Sequence, residues 1–312
     1  MHPLEPLSAL WSLPGLFVLG LCVGSFVNVV VRRLPIMLER RWWLEVAQQI
    51  REPGLPAPPV EFDPAWSEVG AALEQRLSAL PPLSLGQPGS HCPPCGHRLR
   101  WREMVPVLSW LWLRGRCSAC GTRISPRLPW VELGCGLMFL GMGWHWGHTP
   151  MALLWGAWAA ALLALSLIDW DTLLLPDSLT QGLIWSGLAA AWWGWTIPVG
   201  DAVAGAVVGY ASLWTVATLF ERVTGKDGMG AGDFKLLAAL GAWLGPWALV
   251  SVVLLGSLAG VVVGLGMKAR GALREGRYVP FGPFLAAGAV ATMWLGSSVG
   301  GPGLLNGIIT GP

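Results

Sequence analysis

Met151–Asp171 reads MALLWGAWAAALLALSLIDWD: eighteen residues without a charge, then two carboxylates flanking a tryptophan. An apolar run of that length covers the roughly 30 Å of a bilayer's hydrocarbon core, which takes about 17–25 helical residues. A charged side chain at the bilayer centre costs on the order of 2.5–3.5 kcal/mol, so an ionisable group beside such a run is a functional candidate by default. The rest of the 312-residue chain repeats the apolar half of this pattern. Apolar residues make up 54% and charged residues 12%, against about 25% charge in a soluble domain. That balance excludes disorder, a coiled coil, collagen or a small disulfide-stapled domain as the main architecture. The net charge of +2 is too small to point to nucleic acid.

Eight runs read as membrane spans: Leu10–Val31, Leu128–Trp146, Met151–Ile168, Leu179–Trp195, Ile197–Phe220, Phe234–Leu244, Trp247–Met267 and Phe281–Val299. The fold class is therefore an all-α polytopic membrane protein of about eight transmembrane helices, carrying one large loop domain. The first run is too long for a cleavable signal, lacks a basic front end and is followed by Arg32 and Arg33. Tryptophan supplies 21 of the aromatic residues, which suits a chain with many membrane–water interfaces.

Basic residues give the topology. Thirteen of the 20 Lys and Arg lie between Arg32 and Arg127, three between spans five and six, and four between spans seven and eight. Making those loops cytoplasmic leaves no Lys or Arg on the other side, so both termini are expected outside. The chain then divides into an N-terminal helix (1–31), a cytoplasmic loop (32–127) and a seven-helix membrane region (128–312).

Within the loop, a Pro-rich middle reads as linker and turns. Asp63 before Pro64 suits a helix N-cap, and Val69, Leu73, Leu77 and Leu80 recur at helical spacing, an amphipathic face expected to cover the membrane side. No internal repeat stands out. The strong feature is Cys92-Pro-Pro-Cys95 followed by Cys117-Ser-Ala-Cys120. Two paired CxxC knuckles suit a tetrahedral zinc ion, and four thiolates close its shell, so the ion reads as structural. In a reducing compartment disulfides are disfavoured, and a redox pair is the alternative. His91 and His97 read as loop residues, and Cys22 and Cys135 as small packing residues.

Acids are rare after Leu133. Asp169 ends span three; Asp233 opens span six within Gly228-Met-Gly-Ala-Gly-Asp-Phe-Lys235. Two complete spans separate them, so both carboxylates belong to one face of the membrane. Two carboxylates in a partly dry site cannot both ionise easily; one serves as acid while the other remains a base. That pairing can activate water and protonate a leaving amine. Asp177 suits an N-cap for span four. Asp171 could tune Asp169 or face water, and Lys235 could pair with a carboxylate or with lipid phosphate. Asp201 falls on the opposite face.

Together these residues resemble the type IV prepilin peptidase family, the bifunctional leader peptidases and N-methyltransferases. The likeness runs from Gly24-Ser-Phe-Val-Asn-Val-Val-Val-Arg-Arg-Leu-Pro35 through both knuckles and Pro129-Trp-Val-Glu-Leu133. It continues through Ile168-Asp-Trp-Asp-Thr-Leu-Leu-Leu-Pro-Asp177 to the Gly-x-Gly-x-Gly-Asp-x-Lys stretch, which also looks like that of GxGD aspartic peptidases. The resemblance implies Asp169 and Asp233 as catalytic aspartates. It implies cleavage of a short basic leader after Gly at the cytoplasmic face of the bacterial inner membrane. Type IV prepilins and type II secretion pseudopilins are the implied substrates, with lipid as surroundings and no nucleic-acid partner. The same enzyme would methylate the new N-terminus with S-adenosylmethionine. On this reading Asp171 and Glu132 help receive the basic leader, and the methyl donor sits near Asn28, Arg32, Gly115 and the knuckles. A transporter or ion-binding protein with a structural zinc loop is the rival class, although transport sites tend to lie near the midplane. A third reading is an assembly factor whose loop recruits a partner.

Overall fold

The computed structural model describes residues 12–51, 64–147, 149–226, 228–271 and 279–298. The expected outer limits Leu10 and Val299, the Asp63 cap, the prolines before residue 60 and the Asp227 charge lie outside them. Helices dominate and, among the described residues, no strand forms beyond two isolated antiparallel bridges. Each of the eight apolar runs coincides with a helix. These are α1 (Leu13–Arg51), α4 (Arg127–Trp146), α5 (Pro150–Thr172), α6 (Asp177–Trp192), α7 (Val199–Thr224), α8 (Ala231–Leu244), α9 (Ala248–Ala269) and α10 (Gly282–Ser298). Between α1 and α4 come α2 (Pro64–Ser78), a 3₁₀ turn (Trp101–Met104) and α3 (Leu108–Trp112). Four helices, α1, α5, α7 and α9, are long and apolar enough to cross a membrane.

The chain forms two compact units, Asn28–Trp130 and Met1–Val27 with Val131–Pro312. In the second, α8 is the hub. Nine of its 14 residues are buried, from Phe234 to Trp243. At ~1.5 Å per residue it is about 21 Å long, shorter than a bilayer core. It needs no lipid-facing surface of its own because α6 and α7 pack along it. Small residues permit the closest approach: a Cβ on Gly205 of α7 or on Gly241 of α8 would collide with the other's carbonyl, and Gly209 lies against the Leu237 carbonyl. This is the small-residue packing by which helices associate where burial of apolar surface gives no drive. Gly241→Leu forces the backbones apart, and overpacking of this kind costs about 1–3 kcal/mol or more. The expected result is a lower thermal unfolding midpoint for the detergent-solubilised protein, with Gly264→Leu, where a Cβ meets nothing within 4 Å, as the unaffected control.

At one end of the core, Trp155, Trp158 and Trp243 pack edge-on or tilted at centroid distances of 5.3 to 6.1 Å, and Trp146 stacks on Trp155 at 5.9 Å. Trp243 donates its indole N–H to the Leu183 carbonyl at 2.8 Å. Trp144, Trp185 and Trp192 are exposed, while these core rings fill volume between helices instead of standing at an interface.

In the first unit, one boundary and one buried face differ from the sequence reading. Helix α1 does not stop at Arg32 but runs through Pro35 to Arg51. Residues 36–51 are mostly good helix formers, Arg41 pairs with Glu45 one turn on at 3.1 Å, and the arginines find partners beside the helix. Arg33 donates to the carbonyls of Ser84 and Leu85 at 3.0 and 3.1 Å, and Arg40 to that of Pro81 at 3.0 Å. The α2 face also differs: Val69 and Leu80 are exposed, while Gly70 is buried against the Ala47 carbonyl and Ile50 of α1. The helix covers α1 through this narrower stripe, closed by Arg51–Glu74 at 2.7 Å.

Candidate active site and metal centre

Helix α5 ends at Thr172, and Leu173 in the left-handed conformation (φ 57°) caps it. The last full turn thereby presents Asp169, 5% exposed, inward, while Asp171, two positions on, faces out. Residues at i and i+2 never share a helix face. Asp169 Oδ2 accepts a hydrogen bond from the Gly282 N–H at 3.0 Å. Gly282 opens α10, so its amide is one of the first-turn donors that a helix leaves unpaired, and a carboxylate is a natural acceptor there.

Asp233 sits in the first turn of α8 and is an electrostatic neighbour of Asp169. Leu175 fills the space between their supports: a Cβ on Gly232 would lie 2.8 Å from Leu175 Cβ, and one on Gly282 would lie 3.4 Å from Leu175 Cδ2 and 2.6 Å from Asp169 Oδ2. Glycine is required at both positions by this close approach. Gly282→Ala must push the Asp169 carboxylate aside, and a misplacement of about 1 Å in a reacting group costs on the order of 100-fold in rate. The expected result is a loss of that order in turnover with the protein still folded, read by activity beside an unchanged unfolding midpoint.

Lys235 Nζ meets Asp177 Oδ1 at 2.6 Å, which settles its partner as a carboxylate. Asp177 is accordingly not the N-cap of α6; Pro176 holds that position and Asp177 is the first helical residue, its side chain turned to Lys235. Glu132 is half-buried on α4, and a Cβ on Gly24 of α1 would lie 2.6 Å from its Cα, so the two helices cross there.

The knuckles are near-copies. Cys92 N–H donates to the His97 carbonyl and Gly96 N–H to that of Cys92; 25 residues on, Cys117 and Gly121 make the same two bonds to Thr122 and Cys117. Gly96 (φ 69°) and Gly121 (φ 70°) turn each loop in the left-handed region, and each loop is closed by one antiparallel bridge, His91–Arg98 and Arg116–Arg123. This offset is a local structural repeat that the sequence reading did not register. All four sulfurs lie within 4.8 Å of one another, with Cys92–Cys120 at 3.8 Å and Cys95–Cys117 at 4.0 Å. A tetrahedron with Zn–S near 2.3 Å has S–S edges of about 3.8 Å. The donor set and its spacing therefore fit zinc. Burial pushes the Cys92 thiol up to about 12, whereas the Thr122 hydroxyl and amide beside Cys120 bring that thiol down to about 6.

Glu103 ties the two knuckles together. Its carboxylate accepts from the Ser118 hydroxyl, from the Arg100 N–H at 2.7 Å and from His97 at 3.3 Å. These bonds, Ser118 first, hold it down at about 2. His97 is thus committed to Glu103 and is not among the clustered metal donors.

The three residues expected near a methyl donor have local roles. Asn28 Nδ2 donates to the Leu128 carbonyl at 3.0 Å, Arg32 is exposed, and Gly115 (φ 66°) turns beneath Trp110. None lines the concavity of about 310 Å³ formed by Trp101, Arg102, Val105, Leu108, Ser109 and Trp112.

Residues 18–146 match the Bacterial Peptidase A24 N-terminal domain, and residues 156–265 match the Type IV leader peptidase family. The chain is 49% identical over 279 residues to a prepilin leader peptidase/N-methyltransferase of Pseudomonas putida, covering 89% of this chain and 88% of that protein. Similar proteins of the same name are 46% identical in Stutzerimonas stutzeri (89% of each chain) and 45% identical in Burkholderia pseudomallei (94% of this chain, 90% of the relative). No solved structure matches. The aspartate pair, the paired knuckles and these relatives meet in one conclusion: the chain belongs to the type IV leader peptidase family.

Proposed function

We propose that this inner-membrane protein cleaves the leader from type IV prepilins and pseudopilins and then methylates the new N-terminal amine with S-adenosylmethionine. The observation that carries the peptidase half is the Asp169–Asp233 neighbourhood, held by the Gly282 amide. Oδ2 of Asp169 accepts from that amide, which leaves Oδ1 open to share a water with Asp233. One carboxylate takes the proton of the attacking water and the other protonates the leaving amine. The basic loops orient the pair to the cytoplasm with both termini outside, so the leader's charge stays in water while the substrate's apolar helix remains in lipid. Residues 128–312 then form the peptidase region and 32–127 the part associated with methyl transfer, where Cys92, Cys95, Cys117 and Cys120 hold a structural zinc. Asp171, facing water beside the site, and Glu132 supply negative charge towards the basic leader, and Asn28, Arg32 and Gly115 support the methyl-donor region.

Purified protein in lipid nanodiscs, given a prepilin and S-adenosylmethionine, is expected to yield a product lacking the leader and heavier by one methyl group by intact mass. An uncleaved prepilin under those conditions overturns the peptidase half; a cleaved but unmethylated product overturns the other.

A further inference from the structure

The segment between the knuckles has an unusual surface. Trp101 is 70% exposed, Met104 45%, Leu108 64%, Leu111 58% and Trp112 75%. These five large apolar side chains lie within twelve residues, in the 3₁₀ turn and α3. The surrounding sequence is rich in arginine: seven lie from Arg98 to Arg127, against a single acid, Glu103, whose carboxylate is already engaged by Ser118, Arg100 and His97. The surroundings stay positive even with four thiolates around a divalent ion. Arg102 lies over the Trp101 ring at 5.1 Å, with its guanidinium exposed.

We propose that this tryptophan–arginine face docks on an anionic lipid surface. Rings with an apolar body and a polar N–H, next to arginines, are the side chains that partition to the headgroup layer. Charge complementarity selects the occupant. Anionic headgroups attract the arginines, whereas a second copy of the same face or a basic peptide would be repelled. Connectivity agrees, because Arg114 is only 13 residues from Arg127, the first residue of the apolar helix α4. An extended chain of that length reaches at most about 45 Å, which tethers the face to the start of that helix.

The test uses the full chain in nanodiscs, with a photo-cross-linking phenylalanine analogue replacing Trp112, or Trp66 on α2 as an exposed control. The expected result is a phospholipid adduct by intact mass at position 112 and little at position 66. The adduct should be at least about fivefold stronger in phosphatidylglycerol than in phosphatidylcholine, the factor roughly one arginine contributes at an anionic surface. Equal labelling at both positions, equal labelling in both lipids, or an adduct joining position 112 to another polypeptide when prepilin is added would overturn the proposal. Because the readout is a lipid adduct, it is independent of peptidase turnover.

Discussion

Asp169→Asn and Asp233→Asn are each expected to abolish leader cleavage. Asparagine keeps the shape of the carboxylate but can neither take the proton of an attacking water nor deliver one to the leaving amine. Loss of one positioned acid or base costs about 100- to 10,000-fold. Residues that act as a unit are not additive, so the double variant is expected to be no worse than either single one. In Asp169→Asn the new side chain can still accept from the Gly282 amide through its carbonyl oxygen, so the fold should survive; a normal unfolding midpoint in detergent is the accompanying control. Gel-shift processing of a prepilin reads the outcome. Full cleavage by either folded variant removes that aspartate from the mechanism.

The second large effect is on metal. Cys92→Ala or Cys117→Ala, each removing a buried sulfur, is expected to reduce bound zinc from one equivalent per chain to near none by elemental analysis. Structural zinc contributes about 10–16 kcal/mol to small metal-folded peptides, so its loss should open the knuckles to proteolysis. Cleavage sites appearing between residues 84 and 125, absent from the parent protein, are the diagnostic. A variant that keeps its zinc and its protease resistance would show that the four sulfurs do not hold the ion. Cys22→Ala is the control, since that thiol is exposed on α1 and remote from the cluster in sequence.

Much of this architecture is legible from residue order. Long apolar runs mark where helices lie, because a bilayer leaves the backbone few alternatives. The Cys spacing likewise brings four sulfurs into one cluster, since a CxxC turn has little freedom once Gly follows it. What resists reading is contact between distant segments. Nothing in the spacing of Asp169 and Gly282, 113 residues apart, reveals a side-chain-to-amide bond. The Pro280-Phe-Gly-Pro283 turn, at the same end of its helix, was the available signal. Lys235 and Asp177 are similarly separated, so the N-cap rule, a local one, assigned Asp177 to the wrong task. Helix α1 outran its expected end because the length of an apolar run does not fix where the hydrogen-bonded helix stops, and the turns after Pro35 are stabilised by i,i+4 pairing and a covering helix.

The duplicated knuckles carry a consequence for the segment they enclose. Each hairpin supplies only two sulfurs, so neither can retain an ion by itself. A zinc ion held by all four would clasp the neck of a loop running from Gly96 to Arg116, and closing it removes chain entropy that grows with the logarithm of the enclosed length. Trp101 and Trp112 lie within that loop. Stripping the ion would leave their side chains chemically intact yet scattered, turning one cohesive surface into unconnected rings.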